Sequence, residues 1–123
     1  MENATAAIAV LHNLGADFTA LQEGISSFKG IKRRYTKHTF ENTIILIEDN
    51  RDLNLFLNQK LEKNYNVVAI ENAEQGWQEI LSYIPDVIIC DVMLPGMDGI
   101  ALTQKVKSDF RTSHIPVILL TAK

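Results

Sequence analysis

The stretch Pro85-Asp86-Val87-Ile88-Ile89-Cys90-Asp91-Val92-Met93-Leu94-Pro95-Gly96-Met97-Asp98-Gly99 decides how the chain reads. Residues 87–90 are a continuous apolar run, the composition of a strand covered on both faces. Asp91 follows that run directly, and Pro95-Gly96 and Asp98-Gly99 mark a loop. A buried strand that ends on a carboxylate and opens into such a loop puts an acid at the C-terminal edge of a sheet.

Working outward, Ala73, Trp77, Ile80, Leu81 and Ile84 recur at helical spacing, and residues 66–70 form a short strand before them. Leu53, Phe56, Leu57 and Leu61 trace an earlier helix. Residues 44–47 are a second apolar β-branched run, and it ends in Glu48-Asp49-Asn50. On the other side, Ile100, Thr103, Val106 and Phe110 give a third helix. Pro116 opens the strand at 117–120, which runs into Thr121-Ala122-Lys123. Strands alternating with helices predict an α/β parallel sheet with right-handed crossovers.

The chemistry follows from where the acids fall. Glu48, Asp49 and Asp91 each follow a buried strand, and ligands of such sheets bind outside that edge where strand order reverses. If the first and third strands are neighbours, the acids converge. Carboxylates held together repel one another and raise at least one pKa. A divalent cation relieves this, and hard oxygen ligands with an octahedral preference point to Mg²⁺. Asp91 then suits a nucleophile that forms an acyl phosphate. The Thr121 hydroxyl and Lys123 ammonium can hold the phosphoryl oxygens, because phosphoryl transfer rests on positioning and charge.

Two helices are expected ahead of this unit. Asn3 caps the first, which carries Ala6, Ala7, Ile8, Val10, Leu11 and Leu14 and stops at Gly15. Asp17 caps the second, with Phe18, Leu21, Ile25 and Phe28 on one face and Gly30 at its end. Residues 29–38 carry Lys29, Lys32, Arg33, Arg34 and Lys37 without an acid and read as a strand or linker. The boundary is placed at residues 41–43, giving a segment 1–42 and a domain 43–123.

Composition limits the function classes. Hydrophobic residues make up 46% and charged residues 22%, as in a soluble globular protein. Residues 1–42 hold five basic and four acidic side chains, whereas residues 43–123 hold seven and eleven. The acidic second part suits a cation site, and the net charge of −3 argues against general nucleic-acid binding. The basic run carries no recognition motif and reads as a solvated face. Cys90 is the only cysteine, so no internal disulfide forms. No apolar stretch reaches the roughly 18 residues that span a bilayer, and no signal-peptide pattern opens the chain. A cytoplasmic protein is expected. A phosphatase of the haloacid dehalogenase type also uses an Asp after a strand, but it needs a second Asp where Met93 stands.

Three motifs carry a family resemblance. They are Ile44-Ile45-Leu46-Ile47-Glu48-Asp49-Asn50, the stretch Pro85 to Gly99 quoted above, and Ile115-Pro116-Val117-Ile118-Leu119-Leu120-Thr121-Ala122-Lys123. Together they resemble the receiver domain of response regulators and hybrid sensor kinases. The resemblance implies a flavodoxin-like sheet of order 2-1-3-4-5. It implies Asp91 as phosphoacceptor, Asp49 and Glu48 as Mg²⁺ ligands, and Met93 as a ligand through its backbone carbonyl. It implies Thr121 as the switch hydroxyl and Lys123 as the partner of a phosphoryl oxygen. The phosphodonor would be a histidine of a kinase or phosphotransfer protein, the domain would not be an enzyme, and a homodimer is left open. The family continues past the position of Lys123 with a helix, a strand and a helix. The sheet is therefore expected to be incomplete, with strand order 2-1-3-4 and an unpaired edge on its fourth strand.

Residues 1–37 are similar to something else. Glu2-Asn3-Ala4-Thr5-Ala6-Ala7-Ile8-Ala9-Val10 and Ser27-Phe28-Lys29-Gly30-Ile31-Lys32-Arg33-Arg34-Tyr35 resemble a stretch of the Mur ligases of peptidoglycan synthesis. There it closes the ATPase domain and enters the last domain, with the position of Asn3 near the nucleotide. No Gly-Lys-Thr/Ser phosphate loop accompanies it here, so no ligase activity is expected. The alternative reading is a non-signalling chimera.

Overall fold

The strands of the main sheet are short and apolar, and the helices that begin at Arg51, Ala73 and Gly99 each start on a side-chain cap. A computed structural model describes residues 6–11, 14–28, 35–36, 39–40 and 42–122. The elements are β1 (Ala6–Leu11), α1 (Leu14–Ser27), β2 (Tyr35–Thr36), β3 (Thr39–Phe40), β4 (Thr43–Ile47), α2 (Arg51–Leu61), β5 (Asn66–Ile70), α3 (Ala73–Tyr83), β6 (Val87–Asp91), α4 (Gly99–Ser108) and β7 (Val117–Ala122). Five strands form a parallel sheet of order β1-β7-β6-β4-β5, while β2 and β3 pair as a small antiparallel ribbon. The four strands expected from sequence stand in the flavodoxin-like order 2-1-3-4. Among the described residues, no helix is long and apolar enough to cross a membrane.

The period of 2 along each central strand divides the core between the two faces. Ile45, Ile47, Ile88, Cys90, Val117 and Leu119 meet Ala73 and Ile80 of α3 and Leu102 and Val106 of α4. Ile44, Leu46, Val87, Ile89, Ile118 and Leu120 meet Leu21 and Ile25 of α1 and Leu57 and Leu61 of α2. Both faces are covered, which is why β4 and β6 read as unbroken apolar runs.

The N-terminal segment departs from its expected form. Two helices were the expectation, but Ala6–Leu11 is a strand and one helix follows from Leu14, with Gly15 inside it. A six-residue apolar run does not distinguish a buried strand from a helix by its period. Tertiary context decides: β7 presents an open ladder, and β1 fills it from Ala6 opposite Val117 to Leu11 opposite Ala122. The β7 edge expected to be bare is therefore paired. Helix α1 then returns over the sheet, burying Leu21 and Ile25 and setting the Phe18 and Phe56 rings edge to face at 6.5 Å. Asn3, Gly30 and the basic residues Lys29, Lys32, Arg33, Arg34 and Lys37 lie outside the described residues.

Two smaller differences concern helix ends. Ile84 lies beyond α3 as its C-cap, with a left-handed φ of 45°. Phe110 lies past α4 and is 88% exposed, while Leu102 and Val106 supply that helix's buried face.

The packing of α1 makes a test of its own. Ile25 is fully buried among residues of α2 and three strands. Ile25→Ala should cost about 2–5 kcal/mol of stability, the usual range for emptying a core isoleucine site. Urea unfolding followed by circular dichroism checks this; an unchanged midpoint would mean that α1 does not belong to the core.

Candidate functional site

Register brings the acids to one rim. Ile47, the last residue of β4, is level with Cys90 in β6 and Ile70 in β5, so Glu48 follows where Asp91 ends its own strand. Asp91 is level with Leu120 of β7, and Thr121 is the next residue. Glu48, Asp49 and Asp91 each offer a carboxylate oxygen, and these oxygens lie within 4.8 Å of one another. The sequence-predicted acids and Thr121 thus share the C-terminal edge, and Met93 stands two residues beyond Asp91. Lys123 lies outside the described residues.

The loops after the strands are held by side-chain caps. Asn50 caps α2 by accepting from the Leu53 N–H, and its own N–H donates to Glu48 Oε2 at 3.0 Å. Asp98 caps α4 by accepting from the Ala101 N–H. Asp91 Oδ1 accepts from the Met93 N–H at 3.1 Å, which aims the carboxylate along the rim. The Val92 carbonyl accepts from the Gly99 N–H at 3.0 Å and closes the loop back on the strand. Glycine is required at that closure, because a Cβ on Gly99 would run into the Asp91 carbonyl and lie 2.9 Å from Val92 Cα.

Electrostatics at the rim are unfavourable to negative charge. Burial, together with the nearby Asp91 and Asp49, pushes Glu48 up from 4.5 to about 8 against the opposing pull of the Asn50 N–H. Asp91 is also raised, first by burial, with Asp49 adding to it. Glu48 is 1% exposed, yet among the described residues its Oε1 finds no donor other than a proton shared with the neighbouring Asp91 carboxyl. A buried carboxyl oxygen without a donor is costly, and it is the atom a hard cation would satisfy. The donor set, all oxygen and all acidic, fits Mg²⁺.

Cys90 belongs to the core instead. Its thiol is buried and pushed up to about 12, chiefly by burial, and donates toward the Asp91 carbonyl at 3.3 Å.

One residue of this region escaped the sequence reading. Asn54 is buried on α2, and its Nδ2 donates to the carbonyls of both Glu48 and Ile70. The signal was present: position 54 stands on the buried face with Leu57 and Leu61, where an apolar residue is the default.

Comparison with known proteins agrees with this geometry. The profile of the response regulator receiver domain matches residues 44–123. Histidine kinase P4 of Formosa agariphila is 39% identical over 83 residues, which are 68% of this chain and 6% of that protein. The N-terminal domain of a response regulator receiver protein from Methanoculleus marisnigri JR1 superposes with a TM-score of 0.64 at 29% identity, covering 67% of this chain and 68% of that one. The receiver domain of a sensor histidine kinase from Pseudomonas aeruginosa PAO1 has a magnesium ion coordinated in its active site cleft. It gives a TM-score of 0.62 at 26% identity, covering 65% of this chain and 66% of that one. This chain spans 5% to 8% of the length of the first three curated relatives it matches.

Two expectations follow from the rim. Gly99→Ala should lose about 1–3 kcal/mol through overpacking against the Asp91 backbone, read as a lower urea midpoint. The second concerns pH. The folded chain keeps a proton on Glu48 where the unfolded chain has lost it, so the group's contribution to stability is full below 4.5 and gone above about 8. Without metal, the urea midpoint should fall across that window, and Glu48→Gln should flatten most of the fall. A midpoint that rises through the same window would contradict the assignment.

Proposed function

The chain belongs to the response regulator receiver family, and from that premise we propose that it accepts a phosphoryl group on Asp91 in a Mg²⁺-dependent step of a two-component phosphorelay. Receiver domains are generally phosphoacceptors without a catalytic turnover of their own. The observation that carries the reading is the trio Glu48, Asp49 and Asp91, with oxygens within 4.8 Å of one another at the C-terminal rim. The magnesium ion in the active site cleft of the Pseudomonas receiver domain supports the choice of cation.

Each residue then has a task. An Asp91 carboxylate oxygen attacks phosphorus, the phosphorus–nitrogen bond of a phosphohistidine breaks, and the imidazole leaves with the bonding electrons. Asp49 and Glu48 would hold the metal with Asp91, and the Met93 backbone carbonyl would add a neutral ligand. Bound Mg²⁺ supplies positive charge that offsets the carboxylates and the phosphoryl oxygens. The Met93 N–H keeps Asp91 aimed outward. Thr121, one residue past the partner of Asp91 in β7, offers its hydroxyl to a phosphoryl oxygen. Lys123 takes a second phosphoryl oxygen on the strength of the family resemblance alone.

The donor is a histidine kinase or phosphotransfer protein, as the match to histidine kinase P4 supports. That partnership belongs to the cytoplasm and needs no membrane or nucleic-acid contact from this unit, and a homodimer is compatible with it. Residues 43–123 carry the phosphoacceptor chemistry. Residues 1–42 resemble a Mur ligase stretch in sequence alone; they add β1 to the sheet and α1 to the core, and no ligase activity is expected of them.

Incubation with acetyl phosphate, with and without Mg²⁺, followed by intact mass, tests the reading. One phosphoryl group should be gained only with Mg²⁺, should survive acid and be lost in base, and should be absent from Asp91→Asn. Asp49→Ala should raise the Mg²⁺ requirement by about tenfold or more. Failure of the wild-type chain to gain mass would favour the non-signalling chimera.

A further inference from the structure

We propose that Asn54 is a positioning residue for the acidic rim, fixing the direction in which Glu48 and Asp49 leave the sheet. The inference rests on the Mg²⁺-dependent reading above. Asn54 lies in the first turn of α2 and is 9% exposed. Its Nδ2 donates to the Glu48 carbonyl at 2.9 Å and to the Ile70 carbonyl at 3.1 Å. The Ile70 carbonyl also accepts from the Glu48 N–H at 3.0 Å. One amide group therefore ties the end of β5 to the residue that follows β4, where the acid pair begins.

A ring of bonds passes through the same turn. The Asn54 N–H donates to the Asn50 carbonyl at 2.8 Å, and the Asn50 N–H donates to Glu48 Oε2 at 3.0 Å. The turn is thus held at the Glu48 backbone by Asn54 and at the Glu48 side chain by Asn50. Asp49 lies between these two anchors, so its backbone is held on both sides. A buried asparagine in a helix is an expensive choice, since it gives up helix propensity and desolvates an amide. It is tolerated because both amide hydrogens find carbonyls. A leucine, bulkier but branched at the same carbon, would suit the buried face shared with Leu57 and Leu61, but it would leave the Glu48 carbonyl without its side-chain donor. The asparagine trades core burial for control of the turn.

A positioning role predicts a loss of metal affinity beyond the loss of stability. Thr112→Val is the matched control. It removes a buried side-chain hydrogen bond, Thr112 Oγ1 to the Val106 carbonyl at 2.7 Å, at the opposite edge of the sheet. Titration calorimetry of the full chain with MgCl₂ gives the dissociation constant, and thermal melts in chelator give the stability of each variant. Asn54→Leu should raise the Mg²⁺ dissociation constant by about 10–100-fold, the usual penalty for losing a partner behind a metal ligand. Thr112→Val should leave it within about twofold, a change too small to register as a lost interaction. Asn54→Ser, which keeps one donor on a shorter arm, should fall between and serves if the leucine variant does not fold. Asn54 variants that melt lower but bind Mg²⁺ as the wild type does would overturn the role. A wild-type chain with no Mg²⁺ binding that Asp49→Asn abolishes would bring down the phosphoacceptor reading itself, and this inference with it.

Discussion

Glu48 is 1% exposed, and among the described residues one of its carboxyl oxygens meets no N–H or hydroxyl donor, while Asp49 and Asp91 hold oxygens within 4.8 Å of its carboxyl. In water the three groups would separate. Here the sheet does not let them, because β4 and β6 are adjacent and their ladder sets Ile47 beside Cys90. Backbone hydrogen bonds and two apolar faces hold the ends of these strands together at one rim. The cluster therefore stores unfavourable charge that a proton on Glu48 relieves at neutral pH and a cation relieves more completely. A cation held there would compete with that proton for the same oxygens.

The rest of the fold serves that rigidity. Three helices begin at the same rim, each on a side-chain cap: Asn50 for α2, Asn72 for α3 and Asp98 for α4. Capping fixes where each loop leaves its strand, so carboxylates, loop N–H groups and the Thr121 position keep a constant relation. The Gly99 closure under Asp91 and the Asn54 tie under Glu48 act on the two halves of the acidic cluster separately. Precision at the rim is built from short local bonds laid on a long-range ladder.

How much of this could be read beforehand depended on the kind of signal. The runs at 44–47 and 87–90 announced buried parallel strands, and the acids after them announced a shared edge. Those readings rest on composition and alternation, which are local. The segment 6–11 was misread for the opposite reason, since Ala-Ala-Ile-Ala-Val-Leu suits either form and only β7, distant in sequence, selects the strand. Phe110 continued the spacing of Val106 in sequence yet lies past the helix end. Asn54 was passed over because a polar residue on a helix reads as surface unless its two carbonyl partners are known.

The ladder between β1 and β7 joins the earliest described residues to the latest. On a ribosome, β1 emerges well before β7, and among the described strands it has no other to pair with. For that interval an apolar strand waits unpaired, while the segments from β4 to β6 can already assemble around their own core. Pairing with β7 then recruits a strand made much earlier, and closure of so long a loop is entropically slow. A nascent chain of this design is most vulnerable to the wrong partner just before β7 has emerged, and most in need of a holding chaperone at that moment.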